Sequence, residues 1–206
     1  MYGLPMVHKD GVPVRPIISA IGTYSYRLAK YLDEILKPLA SGNNRMLHDT
    51  FDFVNKVSQL DIARDSYLVS FDVESLFTNI PTQETIEIIL KRAFKRETDL
   101  YFGLRRGDLK KLLEICTQES HFQFAGQYYD QIDGVAMGSP LGPLFANVFM
   151  SEFENTHLDK LDALGLVSWY RYVDDVFASV KDENCVNMIL SYLNQQHPNI
   201  RYTVEY

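Results

Sequence analysis

Two short apolar segments of this sequence carry carboxylates. YLVSFDV, residues 67–73, is too short for a helix and rich in strand formers, so it predicts a central strand with Asp72 at its far end. YRYVDDVF, residues 170–177, sets Asp174 and Asp175 side by side among aromatic and β-branched residues and predicts two strands joined at the aspartates. An unpaired carboxylate in a strand covered on both faces would cost several kcal/mol, so Asp72 is expected at a strand end or beside a cation. Three carboxylates converging from two strands would raise one another's pKa unless a divalent ion neutralised them. Magnesium fits such a cluster, because it takes hard oxygen ligands and commonly uses one or two carboxylates plus substrate phosphates. The plainer expectation is an Asp-Asp turn in a solvated hairpin.

Composition narrows the partners. The 206 residues are 46% hydrophobic, enough for one substantial core or two small ones. Twenty-seven acidic and twenty basic side chains give a net charge of −7, so contact with a polyanion must come from a local basic patch. Cys116 and Cys185 lack CxxC spacing, and His8, His48, His121, His157 and His197 lack zinc spacing. With no charged-then-apolar leader and no long apolar run, the expectation is a reduced, intracellular, soluble protein without a membrane partner.

Along the chain, HKDGVPVR predicts a hairpin around Asp10-Gly11. Leu28, Leu32, Ile35 and Leu36 keep helical spacing from Tyr24 to Lys37, and Pro38 is expected to end that helix. Further helices are expected after Asp49, after Pro81, and near Asp108 as an N-cap. HFQFAGQYYDQ alternates around Ala125-Gly126 as a hairpin, and GVAMGSPLGPLFANVFM is a glycine-rich loop entering a helix. Either Ser139 or Gly142 caps that helix, with Pro140 or Pro143 at its first position. Leu144, Phe145, Val148 and Phe149 are expected in the core. A short helix, about Cys185 to Leu193, and a strand in IRYTVEY close the chain. The glycine loop is neither GxGxxG nor a P-loop, since no GKS or GKT follows.

FDVESLF (71–77), GVAMGSPLGPLFANVF (134–149) and YRYVDDVF come in the order and approximate spacing of polymerase palm motifs A, B and C, and the set resembles a reverse transcriptase. Ahead of them, YGLPMVHKDGVPVRPIIS resembles the fingers motifs of the Penelope-like retroelement family, whose relatives include telomerase. That resemblance implies an α+β right-hand polymerase fold with an antiparallel palm sheet and helices on one face. Residues 1–66 would be the fingers portion and 67–206 the palm, with 82–120 a helical fingers-like insertion and the thumb absent.

The resemblance also implies RNA-directed DNA synthesis with two magnesium ions, manganese being able to substitute, on an RNA template, a DNA primer and deoxynucleoside triphosphates. Asp72 and Asp174 match the metal-binding aspartates, Val73 offers a backbone carbonyl, and Asp175 is the less directly ligating third acid. Phe77 matches the steric gate that excludes a 2′-hydroxyl and so selects deoxynucleotides over ribonucleotides. Lys9 and Arg15 would meet the triphosphate, Gly138 lets backbone approach the incoming base pair, and Met137 stands where many relatives have glutamine. Met6 stands where relatives often carry lysine. Arg201 falls near a basic position of motif D and is expected to be a surface strand residue or, at best, a phosphate contact. A nuclear location follows from the resemblance alone. The rival expectation is a non-catalytic, reverse-transcriptase-like module that binds RNA or a protein partner.

Overall fold

The computed structural model describes residues 2–5, 7, 11, 12, 14–18, 20–40, 44–60, 66–118 and 121–205. In chain order its elements are β1 (Tyr2–Pro5), β2 (Val14–Ile17), α1 (Tyr26–Ala40), α2 (Thr50–Ser58), β3 (Tyr67–Val73), α3 (Leu76–Asn79), α4 (Thr82–Ala93) and α5 (Arg106–Thr117). There follow β4 (His121–Phe124), β5 (Gln127–Asp130), α6 (Gly142–Ala163), β6 (Leu166–Tyr172), β7 (Asp175–Val180), α7 (Glu183–Leu193) and β8 (Tyr202–Glu205). The chain is α+β and divides into two compact units, one of residues 1–40 and 77–149 and the other of 41–76 and 150–206. Among the described residues no helix is long and apolar enough to cross a membrane.

The first unit is mainly helical. Leu32, Ile35 and Leu36 of α1, Ile86, Ile89 and Leu90 of α4, and Leu109 and Leu113 of α5 are all buried, and each such side chain contributes about 1.5–3 kcal/mol on leaving water. The Tyr101 hydroxyl donates to the Ile35 carbonyl (2.8 Å) and Arg92 Nη1 to that of Leu39 (3.0 Å), tying α1 to the α4–α5 pair. Burial pushes the Cys116 thiol up to about 11, which leaves it inert as a nucleophile.

Helix boundaries depart from expectation in three places. Helix α1 runs through Pro38 to Ala40, because a proline so near the C-terminus forfeits one hydrogen bond with little helix left to break. Asp108 lies inside the first turn of α5, its carboxylate accepting from the Arg105 N–H (3.4 Å). Helix α6 begins at Gly142: Phe145 N–H donates to the Leu141 carbonyl, Pro143 takes the second helical position, and the Ser139 hydroxyl accepts from the Leu141 N–H. Leu144, Phe145, Val148 and Phe149 are buried as expected.

The second unit is built on a four-stranded antiparallel sheet of order β6-β7-β3-β8, in which YLVSFDV is an interior strand. Val69, Phe71 and Val73 point to a buried face, where Phe71 stacks on Trp169 at 5.7 Å and Phe153 of α6 meets Tyr202. Alternate residues Leu68, Ser70 and Asp72 face the other way. Asp49 accepts from the Asp52 N–H (2.8 Å) to cap α2, and Asp182 accepts from the Cys185 N–H (3.1 Å) to cap α7. On β8, Asn194 donates to the Tyr202 carbonyl (3.1 Å) and accepts from its N–H (2.7 Å). On β6, Arg171 N–H donates to the Arg45 carbonyl (2.9 Å) and its carbonyl accepts from Leu47 (2.7 Å).

Candidate active site

The carboxylates meet at one end of the β3–β7 pair, within the second unit. Asp72 and Asp175 are direct cross-strand partners, so their side chains leave the same face with Cβ atoms roughly 4.5–5.5 Å apart. Val173 and Asp174 form the two-residue tip between Tyr172 and Asp175, and the Asp174 carbonyl accepts from the Val73 N–H (3.1 Å). That bond carries the ladder one step past the Asp72–Asp175 pair and fixes the tip against β3. Asp72 and Asp174 are half-buried and Asp175 is exposed. Their face also carries a pocket of about 250 Å³ walled by Phe53, Ser70, Tyr170, Tyr172 and Phe177.

The tip is strained. Val173 sits at φ 56°, a left-handed conformation that a β-branched residue adopts at a cost, and Ser75, just after β3, sits at φ 50°. Beneath the tip, on the buried face, lies an ion pair that sequence reasoning missed. Arg171 Nε and Nη2 reach the two oxygens of Glu154 (2.6 and 3.2 Å), Trp169 Nε1 donates to Glu154 Oε1 (2.9 Å), and Arg171 Nη1 donates to the Val173 carbonyl (2.9 Å). Both charged residues are essentially excluded from solvent. The available signal was positional: Arg171 alternates with Trp169 on the inward side of β6, and Glu154 follows Phe153 on the inward side of α6.

A second group of expected site residues is assembled in the first unit. Phe77 lies on the one-turn helix α3, and its carbonyl accepts from the Val135 N–H (2.7 Å). A Cβ at Gly134 would stand 2.5 Å from the Phe77 carbonyl oxygen, and one at Gly142 would stand 3.3 Å from the Phe77 ring. Glycine at these two positions lets the motif B backbone close on Phe77. The Met137 carbonyl accepts from the Ile18 N–H (3.1 Å), which joins the end of β2 to the same segment, with Gly138 exposed beside it.

Lys9 and Met6 lie outside the described residues, as does the Asp10 half of the expected turn. Arg15 pairs with Leu4 in the β1–β2 register, and its side chain lies outside what the structure describes. Arg201 is a surface residue, 75% exposed, with Nε 3.8 Å from Glu74 Oε2.

Among the described residues no three His, Cys, Asp or Glu side chains form a ready-made cage for an ion. Magnesium would need less than such a cage, since it commonly draws on one or two carboxylates and completes its shell with water and phosphate oxygens. Asp72, near the end of β3, and Asp174, in the tip tied to Val73, are carboxylates of the kind such an ion would take.

The fold recurs in solved polymerases. Telomerase from Candida albicans, solved with a fragment of telomeric RNA, superposes with a TM-score of 0.62 at 12% identity, over 88% of this chain and 35% of that one. Apo telomerase from Candida tropicalis, truncated from its C-terminal domain, gives 0.62 at 14% identity, over 87% and 40%. The BmCPV RNA-dependent RNA polymerase gives 0.63 at 13%, over 94% and 19%. The chain thus spans between about a fifth and two-fifths of these proteins, and at such identities the likeness establishes the fold, that of polymerase fingers and palm. No curated protein matches the sequence. The family profile described as "Reverse transcriptase (RNA-dependent DNA polymerase)" matches residues 7–205, and the chain therefore belongs to the reverse transcriptase family.

Proposed function

We propose that this chain carries the nucleotidyl-transfer site of an RNA-directed DNA polymerase of the Penelope-like group, adding deoxynucleotides to a primer 3′-hydroxyl paired to an RNA template. The observation that carries the reading is the Asp72–Asp175 cross-strand pair with Asp174 in the tip tied to Val73. Like charges held together on a braced turn cost stability, and a catalytic ion site is the use that offsets the cost.

In this reading Asp72 and Asp174 hold divalent ions, with the Val73 carbonyl and Asp175 as further oxygen donors. Bound magnesium supplies charge neutralisation at the attacking and leaving oxygens. The rest falls to the chain's own groups. Phe77, its carbonyl on the Val135 N–H and its ring beside Gly142, would be the gate against a 2′-hydroxyl. Gly138 and Met137 border the incoming base pair, Met137 by packing alone because a thioether cannot replace an amide's hydrogen bonds. Lys9 and Arg15 offset charge on the triphosphate. The primer hydroxyl attacks the α-phosphate and pyrophosphate leaves. A nuclear location rests on the Penelope-like assignment alone.

The test is primer extension on an RNA template with magnesium and deoxynucleotides, comparing the chain with Asp174→Asn. Activity abolished in the variant, with the fold retained, supports the reading. Equal activity in both removes the tip from catalysis. Phe77→Val should admit ribonucleotides, and unchanged sugar discrimination would remove the gate assignment.

A further inference from the structure

Charge is distributed unevenly along this chain. Between Lys91 and Lys111 lie eight basic and three acidic side chains, while the remainder holds twelve basic and twenty-four acidic. The basic stretch covers the end of α4, the connection to α5 and the start of α5. Arg106 and Lys110 both reach Glu87 of α4 (2.9 and 2.6 Å), which clamps the two helices together. Lys91, Lys95, Arg96, Arg105 and Lys111 remain exposed, Arg96 with Asp99 beside it (3.0 Å).

The connection is closed by its own hydrogen bonds and ring contacts. Tyr101 and Leu104 exchange two backbone hydrogen bonds, each 3.0 Å, closing a two-residue tip of Phe102 and Gly103 at φ 49° and 79°. Tyr101 is anchored by its hydroxyl on the Ile35 carbonyl and by an edge contact with Phe94 at 6.2 Å. Phe102 is 64% exposed, with Leu100 exposed nearby. A bulky residue in the left-handed region is strained, and glycine would relieve that strain. Within the turn the ring makes one edge contact, with Tyr101 at 5.1 Å, and the rest of it faces solvent.

A fixed, solvent-facing ring flanked by cations is what a single nucleic-acid strand requires: the base stacks on the aromatic face and the phosphates meet the charges. We propose that this connection is a docking surface for single-stranded RNA, with Phe102 stacking on an unpaired base and Lys95, Arg96 and Arg105 facing the backbone. The choice of RNA rests on the polymerase reading above. An acidic protein segment would match the charge but would make no use of an exposed ring held out of its preferred conformation.

The test is fluorescence anisotropy of a labelled, unstructured uridine-rich RNA of roughly 15 nucleotides, in EDTA and without nucleotides. Phe102→Ala should weaken binding by about 5- to 100-fold, and Phe102→Trp should retain it. Phe102→Gly should weaken binding while raising the melting temperature, which separates loss of the ring from loss of the fold. Lys95→Gln with Arg105→Gln should lower the slope of log affinity against log salt by about 1.4. Unchanged binding in Phe102→Ala with an unchanged salt slope would overturn the inference. Displacement of the RNA by polyglutamate together with retained affinity in Phe102→Ala would overturn it in favour of a protein partner. Because metal and nucleotides are left out, a chain inactive in extension but with Phe102-dependent RNA binding would sink only the polymerase reading.

Discussion

The hairpin tips Ala125–Gly126 and Val173–Asp174 each join two antiparallel strands with two residues, and they do so by opposite means. In β4–β5 both tip residues have positive φ (50° and 81°), the second is glycine, and the strands are largely exposed, with Tyr128 80% accessible. This is local turn chemistry with little tertiary support. In β6–β7 the tip has no glycine, a valine takes the left-handed position, and support comes from the buried Arg171–Glu154 pair through the Val173 carbonyl. A turn that satisfies its own preferences can stand in solvent. The one that carries two adjacent acids is held from below.

The largest expected difference between the tips comes from breaking the brace. Glu154→Gln leaves Arg171 buried without a counter-charge and should cost about 3–5 kcal/mol in denaturant unfolding, whereas Ala125→Ser, on an exposed tip, should stay within about 0.5 kcal/mol. A small effect at Glu154 would mean that the Val173–Asp174 tip stands on local chemistry after all. Next, Val173→Gly should raise stability by about 1 kcal/mol by removing left-handed strain, yet lower primer extension because the tip becomes less defined. Stability gained with full activity would show that the strain has no part in presenting Asp174.

Tyr202, packed by Trp169 and Phe153, has a buried hydroxyl with no hydrogen-bond partner among the described residues. Tyr202→Phe should therefore stabilise the unit by about 1 kcal/mol, measured by thermal melting. Burial, then the charge of Glu154, raises the phenol's pKa. The wild-type protein should accordingly lose stability as pH rises beyond the ordinary tyrosine value, because the unfolded chain ionises first, and the phenylalanine variant should lack this loss.

The smallest effect is expected at His157, whose Nδ1 lies 3.0 Å from the Tyr192 hydroxyl and whose pKa burial lowers. As pH falls through about 6.5 the unfolded chain takes up the proton first, so stability should decline, and His157→Gln should flatten that slope.

Much of this contrast was legible in the sequence, but unequally. Alternation around Ala125-Gly126 is enough to read β4–β5, and the short apolar run 67–73 is enough to read β3 with the same limits. Asp49 announces α2 because an N-cap acts within three residues. The features that escaped depend on partners distant in sequence. Nothing near Glu154 says that Arg171 is its mate seventeen residues on, and nothing near Val173 says that a guanidinium will hold it in a conformation its branching disfavours. Helix α1 passing Pro38 is a smaller case: the local rule was sound, and the remaining turn was too short for it to matter.

The two edges of the second unit's sheet have a bearing on how this chain survives in solution. An open sheet offers unpaired N–H and C=O groups along each outer strand, which invite another chain to add on and begin a ribbon. On β8 the Asn194 side chain occupies both backbone groups of Tyr202, as a single residue of a neighbouring strand would. On β6 the Arg45–Leu47 segment does the same for Arg171. One amide side chain and three residues of backbone thus stand where an uninvited copy would otherwise dock, and each acts as a stopper against end-on growth into aggregates.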